Sequence, residues 1–241
     1  MAVVVVQARM GSTRLPGKSL MALSGQTVID WVIRRVVLAE SVSCVVLATS
    51  TNQEDDPLAE HVLAQGIPVY RGHPLDVLDR YRGAVALTDD PIIVRITGDC
   101  PFVQPALIDL AVETLNGHDY VATGIDGRFP RGFDVEAMQR HTLLTAAVEA
   151  KDRLEREHVT PFIVRRPERF DIAPVQCPTW AQRPDLRITL DEPADLELLR
   201  AVVHEMRTNP EQLDGESLIG LLESRPDLVA INAHVTHNIV E

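Results

Sequence analysis

The chain opens on the β-branched run Val3-Val4-Val5-Val6 and then breaks into Gln7-Ala8-Arg9-Met10-Gly11-Ser12-Thr13-Arg14-Leu15-Pro16-Gly17-Lys18. Four consecutive valines favour an extended, buried strand. The loop after them holds two glycines, three cations and a series of backbone N–H groups, and a helical pattern starts near Val28. Strand, glycine-bearing basic loop, then helix is a way to hold a triphosphate, because amides and fixed positive charge converge on phosphate oxygens. On the first strand of an α/β sheet, such a loop lies at the strand's C-terminal end, where these sheets bind ligands. The chain has only two lysines, so Lys18 stands out from its background.

Gly17-Lys18-Ser19 looks like the end of a Walker A loop, which needs a glycine five residues before that Gly-Lys pair. That position is Ser12; Gly11 is one residue too far, and Pro16 removes an N–H from the cradle. A P-loop-like NTPase or kinase is therefore the alternative reading, and a surface turn with incidental charges is the bland one. The formal net charge of −12 and the absence of a basic stripe outside the loop argue against nucleic acid as a partner. Local cations still allow an anionic small substrate. Met1 leads straight into the strand without a basic leader, and no apolar run reaches the ~20 residues of a membrane span. Cys44, Cys100 and Cys177 are odd in number and widely spaced, which suggests neither a disulfide framework nor a zinc site. A cytoplasmic protein without membrane attachment is expected.

Short β-branched runs alternate with helical stretches. Strands are expected at 3–7, 44–48, 69–70 and 92–96, with weaker ones at 120–122, 170–173 and 187–190. Helices are expected at 28–39, 57–65, 75–86, 105–115, 140–150, 193–206 and 216–224, several entered through a polar residue and a proline. The alternation predicts an α/β fold: a Rossmann-like, mixed, mostly parallel sheet with helices on both faces. One domain over 1–241 is expected, with a glycine- and proline-rich excursion near 124–134.

Two aspartates stand out by position. Asp99 follows the strand at 92–96, and Asp191 follows the segment 187–190. Carboxylates at strand ends, facing a bound triphosphate, are what Mg²⁺ uses, since its remaining ligands are phosphates and water. Asp191 before Glu192-Pro193 is also an ordinary helix N-cap, and the two roles are compatible.

The loop 7–18 resembles that of cytidylyltransferases of the spore-coat-polysaccharide and acylneuraminate type, with CMP-Kdo and CMP-sialic acid synthetases as more distant relatives. The similarity continues through Ala48-Thr49-Ser50, Tyr70-Arg71-Gly72, Asp76-Val77-Leu78-Asp79-Arg80-Tyr81 and Arg95-Ile96-Thr97-Gly98-Asp99-Cys100-Pro101. It runs on through Phe133-Asp134-Val135-Glu136, Arg156-Glu157-His158-Val159-Thr160-Pro161, Thr189-Leu190-Asp191-Glu192-Pro193-Ala194-Asp195-Leu196 and Ile231-Asn232-Ala233-His234, so it covers essentially the whole chain. The resemblance implies CTP and an anionic acceptor as substrates, Mg²⁺ as cofactor, release of pyrophosphate, and a homodimer. It implies a nucleotide site of Gln7, Ala8, Arg9, Met10, Gly11, Ser12, Thr49, Arg71 and Asp76, with Arg14, Lys18, Asp99 and Asp191 as the catalytic set. In-line attack on the α-phosphorus needs positioning and charge clamping more than a covalent nucleophile. Arg14 and Lys18 would hold the β- and γ-phosphates, and Asp99 and Asp191 the metal.

For the acceptor, an acidic sugar or a small phosphono-acid, the candidates are Arg128, Arg131, Glu136, Arg156 and His158. Solvated loop arginines and a structural histidine are the competing readings, and for Arg71 with Asp76 and Asp79, expected to hold the cytidine or shape its pocket, it is a salt bridge on a solvated helix face. His234 and His237 have metal-like spacing in a tail without carboxylate support, so no metal is expected there. A catalytically inactive nucleotide-binding regulator is the reading from a different class.

Overall fold

The structure is a computed structural model that describes residues 1–236. In chain order the strands are β1 (Ala2–Gln7), β2 (Ala22–Leu23), β3 (Gln26–Thr27), β4 (Val42–Ser50) and β5 (Val69–Gly72), then β6 (Ile92–Thr97), β7 (Tyr120–Ala122), β8 (Glu136–Gln139) and β9 (Ile172–Pro174). The first five helices are α1 (Val28–Val36), α2 (Asp56–Leu63), α3 (Val77–Val85), α4 (Pro105–Thr114) and α5 (Arg140–Glu149). They are followed by α6 (Arg153–His158), α7 (Pro161–Val164), α8 (Pro193–Met206), α9 (Gly215–Ser224) and α10 (Pro226–Ala230).

Seven strands form one mixed sheet in the order β5-β4-β1-β6-β8-β7-β9, while β2 and β3 make a separate small hairpin. The neighbours from β5 to β6 are parallel; β8 runs antiparallel to both β6 and β7, and β9 is parallel to β7. The expected mostly parallel α/β sheet is what is seen. Alternation along β1 explains its two-sided burial. Ala2, Val4 and Val6 enter one core with Trp31 and Phe102, while Val3 and Val5 enter another with Leu78, Tyr81 and Phe162.

The chain leaves β1 for β4 and β5 on one side, then returns to β6 on the other. That reversal opens a crevice at the C-terminal ends of β1 and β6, where Gln7 pairs with Thr97. Gly98 allows the two ends to approach: its N–H donates to the Gln7 carbonyl at 2.8 Å, and a Cβ there would lie 2.6 Å from the Ala8 Cβ.

Three expectations need correction. The segment 187–190 is extended but is not a sheet strand; among the described residues only Arg187 of this segment makes a bridge, to Arg131. Its amides are spent on two different loops, Ile188 N–H on the Arg131 carbonyl and Leu190 N–H on the Asp99 carbonyl, each at 2.8 Å. Helix α3 starts at Val77 rather than Leu75, because the Asp76 carboxylate caps it through the Asp79 N–H. β8 was not expected as a strand, and it makes the excursion at 124–134 the connection between two antiparallel strands.

Gly98→Ala should lower stability by about 1–3 kcal/mol, the usual cost of forcing atoms into a packed site. Urea unfolding checks this; an unchanged midpoint would show that the β1 and β6 ends can separate freely.

Candidate active site

The loop after β1 is held from below by Asp55, a buried carboxylate that accepts the Met10 N–H at 2.6 Å and the Ser50 hydroxyl. The loop closes on itself where the Gly17 N–H donates to the Met10 carbonyl at 2.9 Å. Gly17 has a φ of +75°, a conformation suited to glycine, and it turns the chain so that Lys18 points back across the strand ends. The cleft so formed, about 260 Å³, is lined by residues of the loop, the Thr97–Asp99 turn, Arg80 and Asp191.

Lys18 is the centre of this cleft. Its Nζ donates to Asp99 Oδ2 at 2.8 Å, to Asp191 Oδ1 at 3.0 Å and to the Leu190 carbonyl at 2.7 Å. One ammonium therefore joins the loop, the end of β6 and the segment before α8. Burial disfavours that ammonium, but the charges of Asp99 and Asp191 outweigh it and hold its pKa above the ordinary lysine value. Burial likewise works against both carboxylates, and Lys18 overrides it, so both are held below the usual aspartate range. All three groups are charged at neutral pH.

Asp191 collects further cations. Arg14 Nη2 lies 3.2 Å from its Oδ2, Arg187 Nη2 2.9 Å and Arg131 Nη2 3.6 Å. Its competing reading as the cap of α8 is not what is found. Glu192 holds the cap position, and Asp195 Oδ2 accepts the Asp191 and Glu192 N–H groups at 2.8 and 2.9 Å. The Asp191 carboxylate is thus left for the cleft. Behind it, Arg187 Nε donates to Asp195 Oδ1 at 2.8 Å, and Asn232 Nδ2 donates to the same oxygen at 2.8 Å. Asp195 is completely buried, so this layer fixes Asp191 without facing solvent.

The family model of cytidylyltransferases matches residues 3–218. An uncharacterized protein of Methanocaldococcus jannaschii is 33% identical over 96% of this chain and 94% of its own length. The spore coat polysaccharide biosynthesis protein SpsF of Bacillus subtilis is 32% identical over 92% of this chain and 94% of its own. A solved structure of a cytidylyltransferase from Leptospira borgpetersenii superposes with a TM-score of 0.88 at 27% identity, over 99% of both chains. The chain belongs to the cytidylyltransferase family. It is therefore a nucleotidyltransferase, and neither the NTPase reading nor the inactive-regulator reading is needed.

The cytidylyltransferase cleft contains Gln7, Ala8, Arg9, Ser12, Arg14, Lys18, Asp99 and Asp191 of the expected set. Met10 and Gly11 shape the loop without lining the cleft. Three other expected nucleotide residues do not line the cleft. Thr49 is wholly buried on β4. Arg71 donates to the Ser50 and Asn52 carbonyls at 2.9 Å and pairs with Asp56 at 2.6 Å, stapling the turn after β4. Asp76 caps α3 and binds Arg156 Nε at 2.7 Å, so a residue expected at the nucleotide and one expected at the acceptor neutralise each other.

Of the acceptor candidates, only Arg131 reaches the cleft residues, through Asp191. Arg128 is exposed and pairs with Asp126 at 3.4 Å. Glu136 pairs with Arg95 and accepts the Tyr120 hydroxyl at 2.7 Å, on the wall of a second cavity of about 600 Å³ that also exposes Asp134. His158 lines a third cavity with Arg95 and Thr160. Between His158 and Thr160, the buried Val159 takes a φ of +74°, a strained value for a β-branched residue. His237 lies outside the described residues.

The sequence reading missed Arg187, Asp195 and Asn232, although each stands within a quoted motif or a few residues from one. Their signal was chemical: an arginine and an aspartate on the inward side of segments that otherwise carry Ile188, Leu190 and Leu196. Asp195→Ala should cost about 3–5 kcal/mol at pH 7, because it removes one of the two carboxylates on the buried Arg187 and takes the acceptor from Asn232 and from the Asp191 and Glu192 N–H groups. The Asp195 pKa is held below normal, so its contribution is present above about pH 4 and is lost as pH falls through the folded value. The stability difference between the two proteins should be largest at pH 7 and shrink progressively as urea unfolding is repeated below about pH 4. A difference that does not shrink would place the loss in packing rather than charge.

Proposed function

We propose that the protein transfers CMP from CTP to an anionic acceptor and releases pyrophosphate, with Mg²⁺ as cofactor. The observation that carries this reading is the convergence of Asp99 Oδ2 and Asp191 Oδ1 on one positive charge, the Lys18 ammonium, at the mouth of the phosphate-type loop. Two carboxylates that already meet at a cation suit a divalent ion as well, so the residues fit the metal that the family resemblance implies. Asp99 and Asp191 would hold it. When bound, the ion would supply neutralising charge to the phosphate oxygens.

The chain's own residues do the rest. Arg9 and Arg14 lie on the loop side of the cleft and draw in the triphosphate. Lys18 and such an ion would be alternative counter-charges for one pair of carboxylates, which would leave the Lys18 ammonium to phosphate oxygens. Arg131, brought to Asp191 by the connection between β7 and β8, offers a guanidinium to the acid group of the acceptor. Among the described residues, no histidine lines the cleft. An acceptor that attacks through an oxygen already ionised, as in a carboxylate or phosphonate, needs no general base. An acidic sugar or a small phosphono-acid both meet this requirement.

Pyrophosphate release from CTP and Mg²⁺, screened against sugar acids, phosphono-acids and neutral sugars, tests the reading. Turnover should require an acidic acceptor, and turnover with neutral sugars alone would refute it. Lys18→Ala and Asp191→Asn should each remain folded and lose turnover by roughly 10- to 150-fold, the equivalent of a charged contact worth about 1.5–3 kcal/mol. Full activity in both variants would remove the cluster from the chemistry.

A further inference from the structure

Arg80, on α3, is 1% exposed yet forms part of the cleft wall. Its hydrogen bonding is poor. Nη1 reaches the Pro74 carbonyl only at 3.5 Å, and Nε is buried without an acceptor. It makes no ion pair among the described residues. The two aspartates nearest in its electrostatic surroundings are committed elsewhere: Asp55 to Met10 and Ser50, Asp76 to Arg156 and the Asp79 N–H.

Arg35 shows what a purely structural arginine of equal burial looks like in this fold. It is also 1% exposed, and it donates to the carbonyls of Val103, Pro210 and Leu213 and to Gln104 Oε1, all within 2.9 Å. Arg80 has no such set. Its surroundings add a like charge, since burial first and Arg9 second depress its pKa.

A buried cation without an acceptor or counter-ion is costly, and the cost is removed when an anion completes the site. The cleft's other inward cations already have partners: Lys18 has Asp99 and Asp191, and Arg14 has Asp191 and Glu192. Among the described residues, Arg9 and Arg80 are the cleft cations that make no ion pair. We propose that Arg80 is a nucleotide-binding residue of this enzyme, which with Arg9 receives a phosphate oxygen of the bound nucleotide through its unfilled N–H groups. This rests on the reading that a nucleotide occupies the cleft. Phosphate is favoured over the base, because a neutral base would leave two neighbouring guanidinium groups unneutralised.

The test is calorimetric titration of wild type, Arg80→Met and Arg80→Lys with CTP, inorganic pyrophosphate and cytidine, beside thermal melts without ligand. Arg80→Met should melt at or above the wild-type temperature, since it removes an unsatisfied charge. It should bind CTP or pyrophosphate, or both, about 10- to 100-fold more weakly and bind cytidine as wild type does. Arg80→Lys should keep part of the lost affinity, retaining the charge without the fork. Cytidine affinity falling as far as CTP affinity would assign Arg80 to the base. A lower melting temperature in both variants with unchanged ligand affinities would make Arg80 structural. Either result overturns the proposal. A wild type that binds neither CTP nor pyrophosphate overturns the nucleotide reading itself, whereas a wild type that binds them beside an indifferent Arg80→Met overturns only the role of Arg80.

Discussion

One ammonium between two carboxylates organises this protein. Lys18 is the point at which three remote parts of the chain meet: the loop after β1, the turn after β6 and the segment before α8. Asp99 and Asp191 repel each other as charged neighbours, and each is penalised by burial. Only a cation at their junction lets both remain ionised inside a concave site. The sheet topology brings the strand ends together, Gly98 lets them touch, and Gly17 turns the lysine inward. These features have value because they deliver one positive charge to one place.

The second layer explains why Asp191 can serve the cleft at all. An aspartate just before a helix is normally drawn into capping it. Here Asp195 takes the exposed amides, Arg187 and Asn232 hold Asp195, and Asp191 is released to face Lys18, Arg14 and Arg131. The backbone of 187–190 binds both the Arg131 loop and the Asp99 turn, so the same segment that orients Asp191 also ties the β7–β8 connection to the cleft. Gly132 makes that contact possible, because a Cβ there would lie 2.7 Å from the Ile188 carbonyl carbon.

Much of the site was legible from local patterns. The valine run and the basic loop announced β1 and the loop that borders the cleft at its end, and the two aspartates stood at the ends of extended segments, as observed. What local patterns could not show was which charges neutralise each other. Asp76 and Arg156 are about a third of the chain apart and pair across α3 and α6, and Arg71 turns toward Asp56 and two carbonyls. Charged residues in familiar motifs therefore proved to be bracing rather than cleft-lining. β8 was missed because Glu-Ala-Met-Gln has the composition of a helix and becomes a strand only between two partners. Arg80 carried a signal that went unused. With Val77, Tyr81 and Ala84 it falls on the inward face of α3, where a cation demands an explanation.

In the proposed function, Lys18 is an exchangeable counter-ion for Asp99 and Asp191. Titration of Mn²⁺ into nucleotide-free protein, followed by the loss of the free-ion electron paramagnetic resonance signal, measures this directly. Wild type should bind Mn²⁺ weakly or not at all, because the ammonium fills the junction. Lys18→Met, confirmed as folded by circular dichroism, should bind one Mn²⁺, and adding Asp99→Asn should abolish it. Tight binding by wild type, or no gain of binding in Lys18→Met, would contradict the account.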